Sequence, residues 1–234
     1  MNRNPTKYML SILLAICLLP AATGGLSESM PTSTPDAVTS ATRDRYREGE
    51  IEEYQGARLD PAVGPKDNSI KGVQYVDIDS YTLTIDGLVN EPLTLSYDEA
   101  TALDAYERLI TLHCVVGWDA TVLWKGVLIT DLIDLAGAQE GAVTVVFSAV
   151  DGYTTSLPLA EIQDKQLILA YQANGLELPP ELGFPFIVVA EDKMGYKWAR
   201  WVDKITLSDD ADYEGYWESR GFDNEADITP APTE

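Results

Sequence analysis

The feature that most constrains the fold is a succession of short strand-like segments, each followed by turn-forming residues. Apolar residues alternate with polar ones or form short runs, and Gly, Pro, Asn or Asp comes next, as is typical of strands. Strands are predicted at 81–86, 93–95, 108–116, 143–150, 153–157, 166–172, 176–178, 184–190 and 201–207. Helices are favoured at 96–103, where Ser96 and Glu99 form a capping-box pattern, and at 130–136, between Thr130 as N-cap and Gly137. The pattern predicts an α+β or mainly β domain.

Two dipeptides predict tight turns within this succession. Asn174-Gly175 separates two strand-like segments and is a strong signal for a two-residue hairpin loop, because both positions favour positive φ. Asp151-Gly152 separates the segments 143–150 and 153–157 in a similar way.

Composition excludes several classes of function. The 234 residues include 38 acidic and 16 basic side chains, one His and two Cys, which gives a net charge of −22. A surface with this charge repels nucleic acid and anionic lipid, so no nucleic-acid partner is expected. A single His and two Cys cannot supply a Cys₂His₂, Cys₄ or His₃ metal site.

The first 24 residues have the organisation of an export signal. Arg3 and Lys7 precede the apolar run 8–19, and small residues follow at 21–25. The segment 1–24 is expected to be cleaved, lipidated or retained as the only membrane anchor, and each outcome places the chain in the periplasm or outside the cell. Residues 25–50 are predicted to be a flexible linker, 51–222 the folded domain and 223–234 an acidic disordered tail.

Cys114 is the only thiol outside the export segment, so it has no disulfide partner within the exported chain. A lone cysteine of this kind has two interpretations. It is either an inert buried side chain, or a functional one that acts as a reactive thiolate or a metal ligand. On the predicted strand 108–116, His113 and Cys114 point to opposite faces. A nucleophile–base pair of these two residues is therefore disfavoured, and with it a cysteine hydrolase.

Cationic and aromatic side chains alternate near the end of the predicted domain. The segment contains Lys193, Tyr196, Lys197, Trp198, Arg200, Trp201 and Lys204. One interpretation is a set of salt bridges to neighbouring carboxylates. The other is a pocket for one anionic ligand, such as a phosphate on a flat heterocycle, held by cationic donors and ring stacking.

Several short motifs follow one another in a fixed order between residues 54 and 222. They are Asn68-Ser-Ile-Lys-Gly72, the segment 81–89, Leu112-His-Cys-Val-Val-Gly-Trp118, Leu123-Trp-Lys-Gly-Val127, Val150-Asp-Gly-Tyr-Thr-Thr-Ser-Leu157, Leu169-Ala-Tyr171, Asn174-Gly175, Pro179 with Gly183-Phe-Pro185, and Gly195-Tyr-Lys-Trp-Ala-Arg-Trp-Val202. This order resembles that of the sulfite oxidase-like molybdopterin-dependent oxidoreductases.

The resemblance implies an α+β domain of mixed short β-sheets with a few short helices, and a molybdenum–molybdopterin cofactor. Cys114 occupies the position of the family's molybdenum ligand, and a soft thiolate suits such a centre. By position, Asn68 and His113 are implied as neighbours of the cofactor. Lys197 and Arg200 fall in the segment that holds the pterin end.

The resemblance also implies the activity. Asp151 and Tyr153 lie in the loop that approaches the active site in the family, although Asp151-Gly152 equally fits a simple turn. The expected reaction is two-electron oxo transfer on a small or protein-bound sulfoxide, N-oxide or sulfite-type substrate, with the cofactor carrying the electrons. The alternative is a non-catalytic exported module of the same fold that binds another anionic ligand or a protein partner.

The sequence contains no Cys-x-x-Cys-His motif for covalent haem. Electrons are therefore expected to pass to or from a separate partner, which is a quinone, a haem protein or another redox protein.

Overall fold

The computed structural model describes residues 35–228, in which twelve strands and four α-helices form. The strands are β1 Glu53–Tyr54, β2 Ala57–Arg58, β3 Leu83–Gly87, β4 Leu93–Leu95, β5 Ala105–His113, β6 Asp119–Leu128, β7 Thr144–Ala149, β8 Thr154–Pro158, β9 Ile168–Ala173, β10 Leu176–Glu177, β11 Ile187–Val189 and β12 Val202–Ser208. The helices are α1 Pro35–Arg47, α2 Tyr97–Thr101, α3 Ile129–Ala136 and α4 Leu159–Lys165, and 3₁₀ turns form at Pro180–Leu182, Gly195–Lys197 and Glu218–Arg220. No helix within 35–228 has the length and apolar character needed to cross a bilayer.

Two five-stranded sheets carry most of these strands. The first has the order β10-β9-β6-β5, with β11 also paired to β9, and the second has the order β4-β3-β12-β7-β8. The pairing is antiparallel except between β3 and β12, where Ile85 lies opposite Ile205 in a parallel ladder. These mixed sheets with few short helices confirm the predicted α+β class.

The longest pairing, between β5 and β6, positions the predicted metal ligand. It runs from Ala105 opposite Val127 to His113 opposite Asp119, and Cys114 follows directly. Sequence reasoning did not assign β6 as a strand. Its residues are almost continuously buried, so the alternation that marks a half-exposed strand is missing.

One cluster of buried apolar residues includes strands of both sheets. Val127 and Leu169 belong to the first sheet, Phe147 and Ile205 to the second, and all four are fully buried. Burial of each such side chain contributes about 1.5–3 kcal/mol relative to exposure. This core supports the strand ends and loops from which the candidate site is built.

Two locally encoded features are confirmed. The Ser96 hydroxyl accepts a hydrogen bond from the Glu99 amide at 3.3 Å, and the Glu99 carboxylate accepts one from the Ser96 amide at 2.8 Å, so the capping box opens α2. Asn174 and Gly175 have φ angles of 47° and 83° and join β9 to β10, as the hairpin signal predicted.

The start of α3 differs from the prediction. Gly137 ends the helix with φ 69° as expected, but the helix begins at Ile129, so Thr130 is its second residue. Leu128 occupies the N-cap position without a side-chain hydrogen bond. The Ile129 amide instead donates to the carbonyl of Leu167, a tertiary contact that local sequence does not reveal.

The predicted strand 108–116 also extends too far. β5 ends at His113, and the Cys114 amide bonds the Trp118 carbonyl while the Gly117 amide bonds the Cys114 carbonyl. Gly117 has φ 87°, a conformation that glycine adopts without strain. Residues 114–118 therefore form a turn, and Cys114 lies at its base instead of on a strand face.

The described part of the predicted linker is partly helical. Residues 35–47 form α1, where Thr42 donates to Glu181 at 2.6 Å and the Tyr46 hydroxyl bonds backbone carbonyls of the β9–β10 hairpin. The prediction of a flexible segment through residue 50 was wrong there, because these tertiary contacts stabilise a polar segment. The export segment 1–24 and residues 25–34 lie outside the described residues.

The predicted tail is also partly ordered by contacts. Ala226 is buried, its carbonyl accepts from the Met194 amide, and Asp227 pairs with Lys193 at 2.6 Å. The predicted disorder was therefore wrong for residues 223–228, since their backbone is bonded to the domain. Residues 229–234 lie outside the described residues.

Candidate active site

Cys114 lies at the base of the turn 114–118, against the 3₁₀ turn that begins at Gly195. Its Sγ accepts a hydrogen bond from Asn68 Nδ2 at 3.3 Å. Gly195 packs so closely that a Cβ there would lie 3.2 Å from the carbonyl oxygen of His113 and 3.6 Å from Cys114 Cα. The thiol is thus held between a loop that carries an amide donor and a backbone segment that allows close approach.

A cavity of about 470 Å³ opens above Cys114 and is lined mainly by apolar and aromatic side chains. Four of the predicted site residues line it together with Cys114, namely Asn68, Asp151, Tyr153 and Arg200. Its aromatic residues are Trp118, Tyr153, Tyr196, Trp198, Trp201, Trp217 and Phe222. A concave site with this lining suits a flat organic ligand.

Asp151 and Tyr153 lie next to one another on the turn between β7 and β8. Asp151 is 2% exposed, and its Oδ1 accepts a hydrogen bond from the Tyr153 amide at 2.9 Å. The Tyr153 hydroxyl donates to the carbonyl of Tyr196, beside Gly195. Burial, and then the charges of Glu218 and Asp151, raise the pKa of Tyr153, so its phenol keeps its proton at neutral pH.

Arg200 joins three parts of the cavity wall. Its guanidinium donates to the Glu181 carbonyl at 2.7 Å and to Asp67 Oδ1 at 2.9 Å, and it stacks 4.4 Å from the Trp201 ring centroid. Burial opposes ionisation of Asp67, but hydrogen bonds from Ser69 and the charge of Arg200 outweigh it and lower the Asp67 pKa. Arg200 is therefore partly neutralised where it meets the cavity.

Lys197 has a different environment from Arg200. Its ammonium is 1% exposed, bonds Glu218 at 2.7 Å, and also donates to the Ser156 carbonyl and to Asn224. It is not among the residues that line the cavity. Burial lowers the pKa of Lys197 although Glu218 opposes that change.

Each of the four cations in the segment 193–204 has a carboxylate partner within 4 Å. The pairs are Lys193 with Glu161 and Asp227, Lys197 with Glu218, Arg200 with Asp67, and Lys204 with Asp86. Within the described residues, the salt-bridge interpretation thus fits all four cations. Of these four, only Arg200 lines the cavity, so it alone could serve the anion pocket that was the other interpretation. The cofactor contact predicted for Lys197 stays a prediction without geometric support.

His113 also lies outside the cavity lining. Its Nδ1 is 2.8 Å from Asp119 Oδ1, across the β5–β6 ladder. His113 is thus next to Cys114 in sequence, but its side chain contacts Asp119 and is not part of the cavity lining.

Sequence reasoning missed several cavity residues. Trp217 and Phe222 line the cavity from the segment after β12, and their rings lie 5.1 Å apart. The cluster of aromatic residues at 213–222 was a signal that could have identified them. Thr39 and Glu181 also line the cavity, and no local pattern marks either one.

The lining fits a bulky chelating cofactor. Within residues 35–228 no group of three or more His, Cys, Asp or Glu side chains is arranged to hold a bare metal ion, whereas a metal carried by an organic chelator requires fewer protein ligands. Cys114 supplies one soft ligand. The ring of Trp118 adds to the aromatic lining of the same cavity.

Comparison with known proteins identifies the class. The sequence profile described as the oxidoreductase molybdopterin binding domain matches residues 70–217. The chain belongs to this family of molybdopterin-binding oxidoreductases. The predicted family, the molybdenum–molybdopterin cofactor and the enzyme class of molybdenum cofactor-dependent oxidoreductase are thereby confirmed.

Two curated relatives show how the match is distributed. The chain is 36% identical over 149 residues to the uncharacterized oxidoreductase YuiH of Bacillus subtilis. That alignment covers 63% of this chain and 75% of YuiH. It is 33% identical over 150 residues to YedZ1 of Azospira oryzae, named as a protein-methionine-sulfoxide reductase subunit, covering 64% of this chain and 57% of YedZ1. The chain therefore spans less than two thirds of the second relative.

A solved structure supports the fold. The sulfane dehydrogenase SoxCD from Paracoccus pantotrophus superposes with a TM-score of 0.61 at 19% identity, over 82% of this chain and 58% of that one. Together with the two mixed sheets, this confirms the predicted sulfite oxidase-like fold class.

Proposed function

We propose that this protein catalyses two-electron oxo transfer at a molybdenum centre held by Cys114. The observation that carries this proposal is the position of Cys114 in an aromatic cavity, with its Sγ hydrogen-bonded to Asn68 Nδ2 and three further predicted site residues, Asp151, Tyr153 and Arg200, on the same lining. A cysteine binds a metal as its thiolate, and the Asn68 amide donates a hydrogen bond to this sulfur.

The bound cofactor supplies an exchangeable oxo group and a two-electron couple, for the net reaction X + H₂O ⇌ XO + 2H⁺ + 2e⁻. Cys114 would hold the metal and Asn68 would orient the sulfur. Arg200, with its planar fork already oriented by Asp67 and the Glu181 carbonyl, would meet the anionic part of the cofactor. The surrounding Trp side chains would exclude water from the reacting centre.

Tyr153 and Asp151 are the side chains available to the substrate. The raised pKa of Tyr153 keeps its phenol protonated, and the donation of that proton to the Tyr196 carbonyl fixes the position of the hydroxyl oxygen. Asp151 offers an acceptor oxygen on the same turn. We propose that these two side chains bound the space in which the oxo-bearing group of the substrate lies.

The proposed substrates are sulfoxides, N-oxides or sulfite-type compounds, either free or within a protein. The name of YedZ1 refers to protein methionine sulfoxide, which makes a sulfoxide the first substrate to assay. Electrons would be exchanged with a separate redox partner, as the absence of a haem motif from the sequence suggests.

The proposed location is outside the cytoplasm, directed by residues 1–24. Fractionation of the native host, with detection of the mature N-terminus by mass spectrometry, tests this. A chain that starts near residue 25 supports cleavage, whereas an intact N-terminus in the soluble cytoplasmic fraction contradicts export.

The test of the activity is metal content and turnover in paired variants. Molybdenum near one atom per chain and sulfoxide reduction with a viologen donor are expected for the wild type. Cys114→Ser should lose turnover and most of the metal, whereas Val143→Ser, at an exposed valine outside the cavity lining, should keep both. Wild-type chain that holds neither molybdenum nor pterin would favour the non-catalytic module, and full activity in Cys114→Ser would rule out the ligand role.

A further inference from the structure

Resting on the proposed function, we infer that Asp151 is a specificity-determining residue that makes the cavity select substrates with an uncharged oxo-bearing group. Sulfoxides and N-oxides have such a group, whereas sulfite and nitrate are anions. The inference follows from the contacts of the carboxylate, from the charges around it and from the apolar remainder of the cavity.

The Asp151 carboxylate faces the cavity with one oxygen free. Only 2% of the residue is exposed, and Oδ1 is occupied by the Tyr153 amide. Oδ2 has no hydrogen-bond or ion-pair partner among residues 35–228. The side-chain polar atoms of that range that are both fully buried and unpartnered are Trp118 Nε1 and Glu218 Oε2. Because Asp151 Oδ2 is unpartnered but is not one of these, it is accessible. Since Asp151 lines the cavity, the accessible oxygen is the one that a bound substrate would meet.

Asp151 and the proposed metal ligand Cys114 line the same cavity. Asp151 accepts from the Tyr153 amide, the Tyr153 hydroxyl donates to the Tyr196 carbonyl, and a Cβ at the neighbouring Gly195 would lie 3.6 Å from Cys114 Cα. This continuous chain of contacts connects the carboxylate to the backbone of Cys114.

The cations around Asp151 are either paired with another carboxylate or exposed to solvent. Arg200 is engaged by Asp67, and the buried Glu181 adds a second carboxylate to the lining. Burial raises the pKa of Asp203, a backbone hydrogen bond and Lys204 lower it, and the charge of Asp151 adds a smaller upward contribution. Two exposed cations lie nearby. Lys66 lines the cavity, and the Nζ of Lys71 would lie 3.3 Å from a Cβ at Gly152.

An anionic substrate would therefore be repelled at long range by the net charge of the chain and at short range by the Asp151 carboxylate. The chain carries a net charge of −22, which disfavours its approach, and the Asp151 carboxylate acts at short range in a site of low polarity. A neutral oxo-bearing group avoids both effects. Val115, Val116, Trp217 and Phe222 line the same cavity and suit apolar substituents on such a group.

The test uses the molybdenum-loaded full chain with Asp151→Asn, because the amide keeps an acceptor for the Tyr153 N–H while it removes the charge. Asp119→Asn is the matched control, since Asp119 is an exposed carboxylate outside the cavity lining. Two substrates are reduced with the same viologen donor: methyl phenyl sulfoxide, R₂SO + 2H⁺ + 2e⁻ → R₂S + H₂O, and nitrate, NO₃⁻ + 2H⁺ + 2e⁻ → NO₂⁻ + H₂O. Binding of inorganic sulfate, as an inert anion, is measured by calorimetry.

The wild type should favour the sulfoxide over nitrate in kcat/KM. Asp151→Asn should raise the nitrate-to-sulfoxide ratio and tighten sulfate binding by about tenfold each, which corresponds to about 1.4 kcal/mol. Asp119→Asn should change neither by more than about twofold, as expected of a screened surface charge. An unchanged ratio and unchanged sulfate affinity in Asp151→Asn would overturn the inference.

The sulfate measurement separates this inference from the proposed function. If loaded wild type reduces no oxo compound, the proposed function fails, while tighter sulfate binding in Asp151→Asn still assigns the charge filter to Asp151. If turnover occurs but neither variant differs from the wild type, the oxo-transfer proposal stands and the inference about Asp151 fails.

Discussion

Lys197 and Glu218 form an ion pair whose side chains are 1% and 0% exposed. Glu218 Oε1 also accepts from the Thr155 hydroxyl at 2.6 Å, while its Oε2 has no partner within residues 35–228. Removal of the Lys197 ammonium alone would leave the buried Glu218 carboxylate without a counter-charge. This lowers the free energy of unfolding far more than replacement of both residues by uncharged ones. The pair therefore contributes to the stability of the segment that supports the cavity wall.

We expect Lys197→Met to lower the free energy of unfolding by about 3–5 kcal/mol, measured by urea denaturation at neutral pH. The double variant Lys197→Met with Glu218→Gln should recover part of that loss, because it buries no lone charge. Pterin and molybdenum per folded chain should stay near the wild-type level in both variants. A cofactor loss in the stable double variant would instead favour the direct contact that sequence reasoning predicted for Lys197.

Asp67 links the Asn68 loop to Arg200, and its stabilising effect should depend on pH. Its pKa is lowered in the folded chain from an ordinary value of 3.8. The stabilisation is therefore complete above 3.8 and is lost as the pH falls through the lower folded value. Asp67→Asn should cost about 1–3 kcal/mol at neutral pH, and the difference from wild type should shrink in acid below 3.8.

Urea unfolding of both proteins over this pH range measures that difference. Asp79→Asn is the control, since Asp79 is exposed and no cation lies within ion-pair distance of it among residues 35–228. A gap between wild type and Asp67→Asn that is constant from neutral pH to acid would contradict the assignment.

At the scale of elements, α1 lies outside the region of the family match yet contributes Thr39 to the cavity lining. The Tyr46 hydroxyl lies within 3.1 Å of the carbonyls of Ala173, Leu176 and Glu177, and Thr42 bonds the buried Glu181. The attachment of this polar helix thus depends on a few hydrogen bonds instead of an extensive apolar face, so its local stability is expected to be low.

Removal of those bonds should release the helix before the domain unfolds. We expect the Thr42→Val, Tyr46→Phe double variant to be cleaved by trypsin after Arg43, Arg45 or Arg47 several-fold faster than wild type, with little change in the melting temperature of the domain. Ser40→Ala, which removes an exposed hydroxyl of the same helix, should leave the cleavage rate unchanged. Equal rates in the double variant and the wild type would show that α1 is attached by other contacts.

The comparison of predicted and observed elements shows where local sequence is sufficient. The capping box at Ser96 and the Asn174-Gly175 hairpin depend on residues within a few positions of one another, and both formed as predicted. The strand end at Cys114 was misplaced because a backbone bond to Trp118 closes a turn there. α1 was missed because its contacts come from residues 173–181, which are distant in sequence.

The whole molecule adds pairings that no local pattern encodes. The parallel ladder between β3 and β12 joins the two ends of the domain, and the cavity takes residues from positions as far apart as Thr39 and Phe222. Of the residues that motif order singled out, Cys114, Asn68, Asp151, Tyr153 and Arg200 line one cavity, whereas His113 and Lys197 do not. Composition alone could not separate Arg200 from Lys197, because both are cations in one short segment and only tertiary packing distinguishes them.

The net charge of −22 has a consequence for electron exchange that is independent of any one residue. A negatively charged surface attracts cationic redox partners and repels anionic ones at long range, and salt screens both effects beyond a distance of about 8 Å at physiological ionic strength.

The loaded enzyme should therefore be reduced faster by methyl viologen, a cation when reduced, than by a sulfonatopropyl viologen, which shares the bipyridinium core but is an anion when reduced. As salt is raised, the first rate should fall and the second should rise, as stopped-flow absorbance can measure. Identical salt dependence for the two donors would mean that the overall charge does not act at the site of electron entry, and the expectation of a cationic partner would be wrong.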